Sequence, residues 1–158
     1  MKHPPGDSAA LALGGQAALG AVLGVAWLAV APRPEARWTG LFWAAELDYG
    51  FGAAQDIWFG LLTAGAGALV GVALTMWSGR PRPWRRFGLW VAGSVLGAAA
   101  CLGTGWALGG SLAAPAVGAA VRAPLTLTSP GLLAAWAFSA ALVAMTSLAV
   151  RSWFGRTW

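Results

Sequence analysis

Polar and apolar positions along this chain are segregated into blocks rather than interleaved. Four apolar runs, at about 11–31, 57–78, 88–110 and 131–150, contain no Asp, Glu, Lys, Arg or His. Each has the roughly 20 residues that carry an α-helix across a hydrocarbon core about 30 Å thick. The pattern predicts an all-α fold: a four-transmembrane-helix bundle forming a single membrane domain over 1–158. Two longer segments, 32–55 and 111–128, join the runs at one end, and a short turn, 79–87, at the other. Asp56 stands just before the second run and reads as its N-cap. Ser129-Pro130 opens the fourth with a cap residue and a proline at the first helical position. The first run has Lys2 before it and Ala29-Val30-Ala31 at its end, which imitates a signal peptide. It is longer than an h-region of about 7–15 residues, and Pro32 would obstruct cleavage, so it is expected to stay attached.

Composition narrows the setting. The chain is 58% hydrophobic and 9% charged, against roughly 25% charged in an ordinary soluble domain. A water-soluble fold of this size could not hide so much apolar surface. The net charge of +5 matters less than where the charges fall. Lys2, Arg80, Arg82, Arg85, Arg86, Arg151 and Arg156 lie to one side of the four runs. Arg33, Arg37 and Arg122 lie to the other, with Glu35, Glu46, Asp48 and Asp56. The basic side is expected to be cytoplasmic, which puts both termini and the 79–87 turn inside and 32–55 and 111–128 outside. The expected location is the bacterial cytoplasmic membrane. Trp27, Trp58, Trp77, Trp90 and Trp153 fall near predicted helix ends, where the ring prefers the headgroup region. Trp106 and Trp136 lie deeper and need packing partners.

Helices surrounded by lipid associate through close packing and hydrogen bonds, so small residues mark their contacts. Gly20 and Gly24 form a GxxxG pair in the first run; Thr63, Gly67, Gly71 and Thr75 recur in the second; Gly93, Gly97, Cys101, Gly105 and Gly109 recur in the third. The short 79–87 turn suggests that the second and third helices form an antiparallel hairpin, with these rows as mutual faces.

Candidate chemistry is sparse. Glu46 and Asp48 in the first outer segment are the only carboxylate pair placed to act as acid and base or to hold a cation. No histidine, nucleophile or third ligand accompanies them, so no catalytic, cofactor-binding or metal site is assigned. Intramembrane ionisable residues mark relays and coupled transport, and none falls within the runs. Arg80, Arg82, Trp84, Arg85 and Arg86 suit anionic lipid headgroups; so short a turn offers nucleic acid too small a footprint. In the second outer segment, Leu125-Thr126-Leu127-Thr128 alternates as an extended strand does. Cys101 is the single cysteine, and His3, the single histidine, stands near the N-terminus.

Several stretches resemble a family: Gly20 to Gly24 with Ala31 to Arg33, Phe51 with Asp56 to Phe59, the glycine row of the third run, and Ala123 to Leu127. With these the chain is similar to small four-helix membrane proteins of high-GC Gram-positive bacteria grouped as a domain of unknown function. The resemblance implies a fold and an envelope location, and no functional residues. The expected function is a non-enzymatic accessory, assembly or interaction protein that sits in the lipid bilayer and docks on a larger membrane protein. The alternative is a homo-oligomeric channel or transporter for a neutral or lipophilic solute.

Overall fold

The computed structural model describes residues 5–41, 43–45, 50–76, 83–109 and 116–154. Four long helices dominate: α1 (Pro5–Val30), α2 (Phe51–Met76), α3 (Pro83–Leu108) and α4 (Ala135–Phe154), the last preceded by a 3₁₀ turn, Pro130–Ala134. All four are long and apolar enough to cross a membrane. The side-chain distribution suits lipid outside. Leu69, Phe138 and Met145 point outward, each at least 70% exposed, while Gln16, Thr63, Thr75 and Ser94 are buried. Water would demand the reverse.

Three short strands, which the all-helical expectation did not include, join the two outer segments. These are β1 (Glu35–Trp38), β2 (Trp43–Ala45) and β3 (Ala120–Arg122), in the antiparallel order β2-β1-β3. Glu35 pairs with Arg122, Ala36 with Val121 and with Ala45, and Trp38 with Trp43. Glycines with positive φ make the bends: Gly40 at +93° between β1 and β2, Gly118 at +85° just before β3. A Cβ disfavours both. Ala36 is buried, whereas Glu35 and Arg37 on either side face outward. The expected strand at 125–128 instead lies outside the sheet, without regular secondary structure and bending at Thr128.

Helix pairing departs from the expected hairpin. α1 packs along α3 and α2 along α4, and among the described residues α2 and α3 share no comparable face. The glycine rows explain why. A methyl at Gly20 would overlap the carbonyl of Gly97, and one at Gly24 would come 2.5 Å from the Cys101 carbonyl and 2.8 Å from Thr104 Cβ. A methyl at Gly67 would overlap the Trp136 carbonyl and Ser139 Oγ; one at Gly71 would stand 2.6 Å from the Ala140 carbonyl. A glycine row admits a backbone or a large ring at close range: the rows of α1 and α3 meet each other, while that of α2 meets the α4 backbone at Trp136 and Ala140. Gly105 receives Trp27 and Gly97 receives Trp136; Gly93 lies under the Gln16 amide and Gly109 beside Leu28 and Leu125. Chain proximity across the 77–82 connection does not outweigh that fit.

The contacts also fix direction. Gly20 on Gly97 is followed by Gly24 on Cys101, so α1 and α3 run parallel. Gly67 on Trp136 is followed by Gly71 on Ala140, so α2 and α4 do too. The start of α1, the end of α2, the start of α3 and the end of α4 therefore gather at one end, and the sheet lies at the other. At the first of these ends Arg151 Nη1 donates to the Thr75 carbonyl at 2.9 Å, satisfying a helix-terminal acceptor of α2.

Two boundaries moved. α2 begins at Phe51, so Asp56 lies within its second turn and is not its N-cap. The stretch 51–56 holds no proline to stop the helix, and Asp56 finds its partners sideways. Ser129 does precede the 3₁₀ turn with Pro130 at the expected place, but its side chain makes no cap hydrogen bond. Trp27 is also corrected. It is fully buried rather than at a headgroup surface, and meets Phe59 edge to face at a centroid distance of 5.2 Å.

Candidate functional site

The densest polar arrangement sits where α2 meets the outer segments, and it is built on the adjacent pair Gln55 and Asp56. Successive helical residues point about 100° apart, so the two side chains take hold of different stretches of chain. Gln55 is fully buried. Its Nε2 donates to the Pro32 carbonyl at 3.0 Å and more weakly to the Pro124 carbonyl at 3.5 Å. Its Oε1 accepts from Thr126 N at 2.9 Å and Thr126 Oγ1 at 3.1 Å. Its backbone carbonyl accepts from Trp27 Nε1 at 2.9 Å. One residue thereby ties α1, α2 and both outer segments together, and both ends of its amide are engaged.

Asp56 performs the matching task one position on. One carboxylate oxygen accepts from Thr128 N at 2.9 Å and the other from Thr128 Oγ1. A buried carboxylate is costly unless hydrogen-bonded, and here it is bonded to the stretch that leads into α4. Leu125, flanked by the Gln55 contacts at Pro124 and Thr126, is 1% exposed and packs against Trp27, Phe59 and Cys101. Reading Gln55 as the end of the first outer segment and Asp56 as the N-cap of the second run missed this. The available signal was Gln-Asp opposite a Thr-x-Thr run, with Pro32 and Pro124 nearby supplying carbonyls outside any ladder.

A second polar centre lies at mid-depth between α1 and α3. Ser94 Oγ is 2.8 Å from the Trp90 carbonyl and 3.2 Å from Gln16 Oε1, and Gln16 Nε2 has no hydrogen-bond partner among the described residues. One hydroxyl proton thus serves two acceptors while a buried donor stays idle. Turning the amide by 180° would let Nε2 donate to Ser94 and set Oε1 over the Gly93 backbone, where a weak Cα–H contact is available. Trp136 Nε1, also buried, has no acceptor among the described residues. Thr63 bonds back to the Phe59 and Gly60 carbonyls and Thr75 to that of Val72.

The other sequence-predicted residues divide simply. Gly20, Gly24, Gly67, Gly71, Gly93, Gly97, Gly105 and Gly109 all lie in contacts within the chain. Gly24 is turned inward against α3. Glu46, Asp48, Arg80 and Arg82 lie outside the described residues, and Trp84, Arg85 and Arg86 belong to the first turn of α3. Among the described residues no three His, Cys, Asp or Glu side chains gather as metal ligands. Compared with protein-family models, with curated proteins and with solved structures, the chain finds no significant match.

Proposed function

We propose that this protein is a non-enzymatic accessory of the bacterial cytoplasmic membrane that holds an ordered outer platform for a larger membrane protein. Both termini and the 77–82 connection would then be cytoplasmic, as the distribution of basic residues requires. The observation that carries the reading is the Gln55–Asp56 clamp. Buried polar side chains at the head of α2 are committed to the backbone of both outer segments. Such bonds fix the position of what lies beyond them, and beyond them is the three-stranded sheet, with Glu35, Arg37 and Arg122 facing outward. A surface held this firmly suits recognition.

The bundle interior favours this over transport. Trp27, Phe59 and Trp136 are fully buried within it, and Thr63 and Thr75, which a pore between copies would present, are turned inward onto their own helix carbonyls. Purification from native membranes in mild detergent, with identification of what co-elutes, tests the proposal. A membrane protein retained by the wild type and released by Arg37→Glu with Arg122→Glu is the expected result. Solute flux through liposomes carrying the purified chain alone would overturn it in favour of a channel. Orientation is checked separately, in a Cys101→Ala background. A cysteine at Ser111 should react with an impermeant maleimide on intact cells, and one at Ser78 should not.

A further inference from the structure

The sheet sorts its side chains along its length in an order that water does not favour. Its base is tied to the chain leaving α1, since Ala123 N donates to the Pro34 carbonyl at 2.8 Å. The charged residues gather at that base: Arg33 precedes β1, Glu35 pairs with Arg122, and Arg37 follows. The far end carries no charge, for neither 38–45 nor 111–121 contains Asp, Glu, Lys, Arg or His. What it exposes instead is Leu41, at 89%, and Val117, at 72%. Their two turns sit side by side. Gly118 N donates to the Trp38 carbonyl at 2.8 Å, and a methyl built on Gly40 would meet Val117 Cγ2 at 3.5 Å. Exposed apolar side chains grouped at one spot mark contact with a membrane or with another protein.

Three features favour the membrane. One face of the sheet is covered, because Ala36 is 2% exposed between the outward-facing Glu35 and Arg37, so the sheet does not stand free in water on both sides. The reach is also right. From Pro34 to Thr39 an extended chain covers about 17 Å, whereas the axes of packed helices stand about 8–10 Å apart. A sheet laid across the end of the bundle therefore carries its tip to the lipid at the perimeter. Trp38 and Trp43, finally, are register partners just behind the first turn, and tryptophan is the side chain that the headgroup region favours. We infer that the paired turns around Leu41 and Val117 insert into the leaflet at the sheet end, as an interfacial anchor that lays the sheet on the lipid surface with Glu35, Arg37 and Arg122 turned to water. The inference rests on the helices being membrane spans and on no protein partner, so its failure would leave the accessory role standing.

Methyl resonances of the unmodified chain can decide this. The full chain is placed as a single copy in nanodiscs of phosphatidylcholine, and the signals of Leu41 and Val117 are assigned by their loss in Leu41→Ala and Val117→Ala. Phosphatidylcholine with a doxyl group near the head of its acyl chain should broaden both signals, as it should those of Ile57, exposed near the same end of α2. A water-soluble gadolinium chelate should broaden them several-fold less than the methyl of Ala120, the exposed register partner of Arg37 on the charged face. Leu41→Asp with Val117→Asp changes only exposed positions and should expel the tip. The exposed Ala116 methyl should then pass from broadening by the lipid to broadening by the chelate. Chelate broadening of Leu41 and Val117 equal to that of Ala120 would overturn the inference by placing the tip in water. Protection from both agents would overturn it in favour of protein cover, and an Ala116 signal indifferent to the double substitution would show that these two side chains do not hold the tip.

Discussion

The middle and the sheet end of the buried interior are held by different physics. At mid-depth, α1 meets α3 and α2 meets α4 through glycine, with the Gly20 face on the Gly97 backbone and the Gly67 face on Trp136 and Ser139. At the sheet end, contact is made by hydrogen bonds from Gln55 and Asp56 to irregular chain. Among lipid tails an apolar side chain gains little by turning inward, so helices must gain by close approach. Irregular backbone has the opposite difficulty. Its carbonyls and N–H groups need partners that no ladder supplies, and a buried amide meets several at once. Shape thus carries the middle of the molecule and polar valence the end.

The largest effects should come from spoiling shape. Gly20→Leu or Gly67→Leu places a branched side chain where a carbonyl already lies, so the paired helices must separate. The expected loss is about 3 kcal/mol, and misfolding is the natural outcome of the worse case. Gly14→Leu and Gly103→Leu are the matched controls, since nothing lies within 4 Å of a Cβ at either position. Thermal unfolding in mild detergent should separate the two pairs clearly. Equal melting temperatures for all four would remove glycine contact as the basis of the mid-depth seam.

Polar valence is tested next. Gln55→Leu preserves bulk but leaves the Pro32 carbonyl and Thr126 N without their bonds, at an expected cost of about 2 kcal/mol. Unlike the glycine variants, it should loosen the sheet end before the helices. Amide exchange at Thr126 and along β3 should accelerate while exchange within α3 stays slow. Uniform acceleration would mean that the clamp and the seams are one cooperative unit. Asp56→Asn is milder. The amide oxygen still accepts one bond from Thr128, so only charge assistance and one acceptor are lost, for about 1 kcal/mol. Protease cleavage near Thr128 should increase modestly.

These differences also explain what could be read from the chain. The four spans were legible because exclusion of charge over roughly 20 residues is imposed by the bilayer and needs no partner. The small-residue rows were legible as seams, but not which helix fills each. A glycine specifies an empty volume, and its complement, Trp27 for Gly105 or Trp136 for Gly97, is a single residue on a distant run. Trp27 was misread for the same reason: position near a helix end suggests a headgroup, whereas its indole N–H reaches the Gln55 carbonyl across 28 residues. Gln55 and Asp56 are ordinary as sequence. Only the return of Thr126 and Thr128 to the same place gives them a role.

The smallest effect should come from the residue that looks most exceptional, Gln16. A glutamine at membrane depth invites a functional reading, yet its structural position is half-used. Oε1 shares a hydroxyl proton that Ser94 already directs at the Trp90 carbonyl, and Nε2 is unpaired. Replacing it with methionine keeps the length and flexibility of the side chain over Gly93 and removes the idle donor. Ser94 retains its bond within α3, so no new unsatisfied group is created. Exchange of a poorly bonded polar group for an apolar one of similar shape is close to neutral. Gln16→Met should therefore alter stability by less than about 1 kcal/mol, in contrast to Gln55→Leu at equal burial. Gln16→Leu is a stricter probe, because its branch must be accommodated above Gly93 where the straight chain passes freely. If Gln16→Met proved as damaging as Gln55→Leu, the amide would have to be bonded both ways, and the division between a middle held by shape and an end held by polar valence would fail.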